Sequence, residues 1–258
     1  MRILITNDDG IHAPGLVVLE KIARQLSSDV VVIAPETDQS GVSHSLSLSE
    51  PLRLRQIASD RYAVRGTPTD CVIMGVRHIL KDKAPDLILS GVNRGQNIAE
   101  DVTYSGTIAA AMEGTLLGIP SIALSQAYGF RRDSHEAHFP VAEAHAVGVI
   151  RKLLAHGFAK NMLFNVNFPD CEPDEVRGVS TTIQGQRTQS ALISVMPRED
   201  YRGNSYYWLA FAREKPTPMT GTDLWAMHEK RISVTPLKLD LTDVAALERL
   251  SSVFDGVK

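Results

Sequence analysis

The sequence predicts an α/β fold: an open, doubly wound, mostly parallel sheet followed by a β-rich C-terminal arm. Three observations carry this expectation. Strand-like and helix-like segments alternate from Arg2 to about Asn167. Two strand segments, Val30 to Ala34 and Leu87 to Leu89, are continuous apolar runs of the type buried on both faces of a parallel sheet. After Pro169 that rhythm gives way to short strand-like runs joined by polar turns.

Arg2 to Thr6 reads as the first strand, ended by the polar turn Asn7-Asp8-Asp9-Gly10. Pro14, followed by Leu16, Leu19, Ala23 and Leu26 on one stripe, opens a helix. Val30 to Ala34 is the next strand. Thr67-Pro68-Thr69-Asp70 has the form of a capping box with Pro at the first helical position, and its helix carries Val72, Val76, Ile79 and Leu80. Leu87 to Leu89 is a strand, Gly91 to Gly95 a glycine-rich turn, and Ser105-Gly106-Thr107 starts a helix with Ile108, Ala111, Met112 and Leu116 on one face. Ile122 to Leu124 is a strand, a helix runs from about Pro140 to Ala155 and stops at Gly157, and Met162 to Asn167 is a further strand. Val179 to Ile183, Ala191 to Val195 and Tyr206 to Phe211 then read as strands, Ile232 to Pro236 as a returning strand, and Asp243 to Val253 as a closing amphipathic helix.

With 258 residues, 43% hydrophobic and 22% charged, the chain has the composition of a globular protein with one large domain or a domain with an appendage. A net charge of −3 gives no basic stripe for a nucleic-acid backbone. Cys71 and Cys171 form no CxxC pair, which points to packed thiols and a reducing, cytoplasmic setting. The apolar run Ile3 to Ile5 is too short for a signal-peptide core, and Ile108 to Leu124 is broken by Glu113, Gly114, Gly118 and Pro120, so no membrane span is expected.

Four segments fall at or just after predicted strand ends: Asn7 to Gly10, Ser40-Gly41-Val42-Ser43, Gly91-Val92-Asn93 and Ser105-Gly106-Thr107. In a doubly wound sheet such ends converge on one rim, where ligands bind. Adjacent carboxylates at Asp8 and Asp9 repel each other and resist burial unless a cation offsets them. Two Asp, a Ser hydroxyl and an Asn amide make a hard oxygen set suited to Mg²⁺ or Mn²⁺, whereas zinc prefers His or Cys. A helix starting at Ser105-Gly106-Thr107 aims its positive dipole end at the same space, an arrangement that binds phosphate. Plainer readings stand beside these: Asn7 to Gly10 as a polar turn, Ser105 and Thr107 as caps, Asn93 as a left-handed turn residue, and Ser40 to Ser49 as an edge strand with one wet face. His44 is either a general acid or a hydrogen-bonded surface group, and His135, His138 and His145 lack the HExxH spacing and read as a solvated face. No GxxxxGK[ST] loop and no GxGxxG after a strand is present, which weakens kinase, NTPase and dehydrogenase readings. Phosphatases with a nucleophilic aspartate space their two acids one residue apart. Contiguous Asp8 and Asp9 leave the strand in different directions, which favours attack by metal-bound water over an aspartyl-phosphate.

NDDGIHAPGL at 7 to 16, APETDQSGVSHSLSL at 34 to 48, GTPTDCV at 66 to 72 and SGVNRGQNIAEDVTYSGTIAAAMEG at 90 to 114 closely resemble the SurE family of stationary-phase survival proteins, metal-dependent phosphatases of nucleoside monophosphates. The resemblance implies a Rossmann-like core and a 5′-nucleotidase acting on nucleoside 5′- and 3′-monophosphates, with short polyphosphate as a further substrate in some members. It implies one divalent ion per subunit, Mg²⁺ or Mn²⁺, on Asp8, Asp9, Ser40 and Asn93, with Asp8 and Asp9 at the centre of catalysis. Asn7, Ser43 and the Ser105-Gly106-Thr107 turn would line the phosphate pocket. It also implies a homodimer or homotetramer built through a C-terminal arm. The corresponding division of the chain is 1–181 as the nucleotidase core, 182–231 as the arm, and 232–258 as the returning strand and helix. Segment Ser205 to Phe211 concentrates four aromatic residues outside the βα rhythm, which suits such an interface. A nucleotide or phosphate sensor without turnover would need the same residue types, and phosphate release from AMP separates the two.

Overall fold

The computed structural model describes residues 1–128, 138–187, 193–211 and 218–254. A nine-stranded sheet organises the chain. Its strands are β1 (Arg2–Thr6), β2 (Asp29–Pro35), β3 (Arg53–Ala58), β4 (Arg61–Arg65), β5 (Leu87–Arg94), β6 (Ser121–Gln126), β7 (Met162–Phe168), β8 (Val179–Thr181) and, after a separate hairpin, β11 (Ile232–Lys238). Their order across the sheet is β3-β4-β2-β1-β5-β6-β7-β11-β8. Pairing is parallel except for β3 with β4 and β11 with β7. The expected α/β class and mostly parallel sheet are therefore present.

Alternation along β1 builds two layers. Ile3 and Ile5 point to the side of α1 (Pro14–Arg24) and α4 (Pro140–His156), where they join Leu16, Leu19, Ile22, Val141, Ala146 and Ile150. Leu4 points the other way, to Val72 of α2 (Pro68–Met74) and Ala110 of α3 (Gly106–Leu116). Burying about ten such aliphatic side chains, at roughly 1.5–3 kcal/mol each, fixes the sheet between its helices. From β1 the chain moves outward to β2 and β4 on one side and returns to β5, β6 and β7 on the other. The switch point between β1 and β5 opens a crevice at the carboxyl ends of those strands, directly after Thr6 and beside Asn93.

Several local expectations hold. Thr67 and Asp70 form the capping box: the Asp70 N–H donates to Thr67 Oγ1 at 3.2 Å, and the Thr67 N–H to Asp70 Oδ2 at 2.8 Å. Helix α4 stops at Gly157, whose φ is +85°. Three features differ. The helix from Pro68 loosens after Met74 into a π-helical turn, Gly75–Ile79, in which the Leu80 N–H reaches back to the Gly75 carbonyl. The hairpin β3–β4 has no counterpart in the sequence expectations. Residues 40–50 form no strand; they run as a strap over the carboxyl ends of the sheet.

Within the residues expected to form the arm, β9 (Ile193–Glu199) and β10 (Ser205–Phe211) pair as an antiparallel hairpin separate from the main sheet. Tyr207, Trp208 and Leu209 on β10 are all more than half exposed. Ala191 and Leu192 of the expected strand lie outside the described residues, as does His135. Short α5 (Asp223–His228) leads into β11, and α6 (Val244–Phe254) leaves Val244, Leu247, Leu250, Val253 and Phe254 exposed.

Candidate active site

Asp8 lies two residues past the end of β1 and is only 4% exposed. Thr107 Oγ1, on the first turn of α3, donates to Asp8 Oδ1 at 2.5 Å. The approach of that helix is close enough to demand glycine at its start. A Cβ on Gly106 would stand 2.8 Å from Asp8 Cβ and 3.1 Å from Asp8 Oδ2. Ser105 caps the helix, accepting the Ile108 N–H at 3.1 Å. The 105–107 turn thus does both things its residues allowed: it caps α3 and presents the positive end of the helix dipole to Asp8.

Burial pushes the Asp8 carboxyl up to about 7, with Asp9 adding to the rise and the Thr107 hydrogen bonds opposing it. Asp9 is half-buried and also raised, again by burial first and then by Asp38; the backbone N–H and the charge of Arg94 act against the rise. The Arg94 N–H donates to Asp9 Oδ2 at 3.3 Å. The two contiguous carboxylates do diverge, Asp8 toward α3 and Asp9 toward the end of β5. A pair of carboxylates this reluctant to ionise is what a divalent cation would relieve.

The other candidate ligands come from two neighbouring loops. Strand β5 changes register between Ser90 and Asn93. At Gly91, with φ +134°, the Leu124 carbonyl oxygen lies 2.1 Å from where a Cβ would sit, so only glycine fits. That irregularity delivers Asn93, whose Nδ2 donates to the Gly95 carbonyl at 2.9 Å and leaves Oδ1 for another partner. On the other side, the Gln39 N–H donates to the Asp8 carbonyl at 2.8 Å and ties the strap to the end of β1. Ser40 next to it is exposed, with its N–H and its hydroxyl both donating to Asp38 Oδ1, at 2.7 and 2.6 Å. The hydroxyl proton is thereby directed away and the oxygen lone pairs stay open.

Asn7 is fully buried, its Nδ2 donating to the Gly10 carbonyl at 3.0 Å, while its Oδ1 has no hydrogen-bond partner among the described residues. A buried acceptor left open costs about 1–3 kcal/mol unless a water or ligand donates to it. Ser43 has φ +56°, and its hydroxyl donates to the Thr103 carbonyl at 2.7 Å, pinning the strap to the turn that enters α3. Among the described residues no three His, Cys, Asp or Glu side chains converge on a metal-sized point, so the candidate set depends on its serine and its asparagine.

Residues 3–191 match the family model described as Survival protein SurE. The chain belongs to the SurE family. A protein of Methylorubrum populi named 5′-nucleotidase SurE is 64% identical over 254 residues, spanning 98% of this chain and 99% of its own length. One of the same name from Azorhizobium caulinodans is 61% identical over 256 residues, with 99% and 100% covered. The crystal structure of the SurE protein from Aquifex aeolicus superposes with a TM-score of 0.81 at 40% identity, over 98% of this chain and 99% of that one.

Three neighbours of the SurE site escaped the sequence reading. Asp38 fixes Ser40 and acts on Asp9; an Asp two positions before a Ser, the pattern of an Asx turn, was its only signal. Glu113 is 9% exposed on α3 and meets His44 Nε2 at 3.0 Å. This makes His44 a hydrogen-bonded anchor of the strap, two helical turns and about 10 Å along α3 from Gly106. Tyr128 follows β6 and carries the Arg94 guanidinium 5.1 Å from its ring centre. No helix among the described residues is long and apolar enough to cross a membrane.

Proposed function

We propose that this chain is a divalent-metal-dependent phosphomonoesterase hydrolysing nucleoside monophosphates to nucleoside and phosphate, and in addition short polyphosphate. Its SurE relatives at 61–64% identity bear the name 5′-nucleotidase, which supports nucleotide phosphatase chemistry. The observation that carries the reading is Asp8: a buried carboxyl raised to about 7, beside a second raised carboxyl and at the amino end of α3.

One Mg²⁺ or Mn²⁺ per subunit would be held by Asp8, Asp9, Ser40 and Asn93. The donor set fits: four hard oxygens, with the Asn93 and Ser40 protons already committed to Gly95 and Asp38. A divalent ion there would supply a lowered pKa for water and neutralise charge on the phosphoryl oxygens. Thr107 fixes the Asp8 rotamer, and the absence of a side chain at Gly106 keeps the helix end open. The dipole of α3 favours the phosphate dianion, Ser43 lines the pocket, and the buried Asn7 Oδ1 is left open to a donor such as a water beneath that pocket. Asp8 and Asp9 diverge, and both would be committed to the ion, which favours attack by activated water over an aspartyl-phosphate. The working state is a cytoplasmic homodimer or homotetramer, with 1–181 as the catalytic core, 182–231 as the assembly arm and 232–258 closing the sheet.

Phosphate release from AMP in Mn²⁺, with and without EDTA, tests the reading. Chelation is expected to abolish it, and Asp8→Asn and Asp9→Asn each to cost at least about 10²-fold. Turnover surviving EDTA, or surviving in both variants, would remove the metal assignment. AMP binding without release would make the chain a sensor.

A further inference from the structure

We infer that the Arg94–Tyr128 pair is the platform on which the nucleobase stacks, and so the element that makes this site prefer a nucleotide over a bare sugar phosphate. The inference rests on the nucleotidase reading above. Arg94 follows Asn93 directly, and its backbone N–H is on Asp9 Oδ2, so the residue is anchored at the candidate metal site. Its side chain leaves that site and lies over the Tyr128 ring, 5.1 Å from the centroid. The ring covers the turn that carries Asn93: a Cβ on Gly95 would touch Tyr128 Cε1 at 3.5 Å. Tyr128 nevertheless stays 53% exposed and Arg94 is exposed, although an aromatic ring of this size is normally used to bury area.

Position supplies the second half of the argument. Asn93 and Arg94 on β5 pair in register with Ser125 and Gln126 on β6, and Tyr128 lies two residues further along the same rim. From the end of β1, where Asp8 sits, to the end of β6 is two strand spacings, about 10 Å. A phosphate at the α3 end would therefore place a ribose over β5 and its base over β6. Guanidinium planes and tyrosine rings both stack on bases, and neither reads base-edge hydrogen bonds, so the platform accepts purines and pyrimidines alike.

Hydrolysis of AMP and of ribose 5-phosphate by Tyr128→Ala, Tyr128→Phe and wild type reads this directly. The ratio of kcat/KM for AMP to that for ribose 5-phosphate is expected to fall about 5- to 150-fold in Tyr128→Ala, the range of a single base stack. The loss should lie in KM for AMP, and Tyr128→Phe should restore it. A ratio unchanged within twofold would overturn the inference. A Tyr128→Trp variant gives a readout independent of turnover: AMP should quench its emission at concentrations where ribose 5-phosphate does not. Equal quenching by both, or by neither, would equally overturn it. Failure of the wild type to hydrolyse either ester would instead reject the nucleotidase reading, with the quenching still reporting on stacking.

Discussion

Replacing Asp8 with asparagine should make the metal-free protein more stable while removing its activity. The Asp8 carboxyl titrates near 7 in the folded chain against an ordinary 3.8, because burial disfavours its charge. Between those two values the native state holds a proton that the unfolded state has released, so stability falls as pH rises from about 4 to 7 and is level above that. At 1.36 kcal/mol per pH unit the full cost of the charge is on the order of 4 kcal/mol at pH 8 and about 1 kcal/mol at pH 4.5. Asparagine carries no charge and keeps the oxygen that accepts from Thr107. In EDTA at pH 8, Asp8→Asn should gain about 2–4 kcal/mol over wild type by urea or thermal unfolding, roughly 5–15 °C in Tm for a chain of this size. The gain should shrink to about 1 kcal/mol or less at pH 4.5. Mn²⁺ at a hundred times its Kd should return about 2.7 kcal/mol to the wild type and almost nothing to the variant. An Asp8→Asn protein no more stable than wild type in EDTA at pH 8, or one with an advantage independent of pH, would refute the reasoning.

Thr107→Val keeps shape but removes the hydroxyl that fixes Asp8, and should weaken Mn²⁺ binding about 10- to 100-fold by titration calorimetry, with AMP hydrolysis falling alongside. Acid-quenched turnover of labelled AMP should leave the protein unlabelled; label retained on Asp8 or Asp9 would install the aspartyl-phosphate route. His44→Ala should cost less than about tenfold in kcat, since its imidazole anchors the strap on Glu113, against the 10² to 10⁴ of a general acid. Light scattering should show an oligomer for the intact chain and a smaller species when residues 182–230 are replaced by a short Gly/Ser linker; a monomeric intact chain would refute assembly, and an unchanged oligomer would move the interface elsewhere.

The position of the candidate site was legible because its residues announce strand ends and helix starts, which topology then gathers on one rim. Asp8 and Asp9 after RILIT, and Ser105-Gly106-Thr107 before an apolar stripe, needed only the rule that a doubly wound sheet binds at its carboxyl edge. What stayed hidden was pairing across long sequence distances. Nothing local in His44 points to Glu113, 69 positions away, or in Arg94 to Tyr128. The β3–β4 hairpin was missed for a different reason. It lies at the sheet edge, and its Arg53, Arg55, Arg61 and Arg65 interrupt the apolar signal, leaving Leu54, Tyr62, Ala63 and Val64 to reach the core. The π-helical turn after Met74 was invisible because Val76, Ile79 and Leu80 satisfy a regular helical stripe as well as the wider one.

The contact between Thr107 and Asp8 joins residues 99 positions apart, which sets an order of events as the chain is made. Asp8 and Asp9 leave the ribosome well before Thr107, yet β1 is flanked on both sides only after β5 has emerged, and the carboxylate meets its hydroxyl only when α3 follows. Until then the two acids are free in water and fully charged. Docking α3 is the step that takes Asp8 out of solvent, so a divalent ion captured at that moment would remove the penalty of closing the site. Cation supply during synthesis would then govern how quickly the amino-terminal half settles, well before the aromatic hairpin has been made.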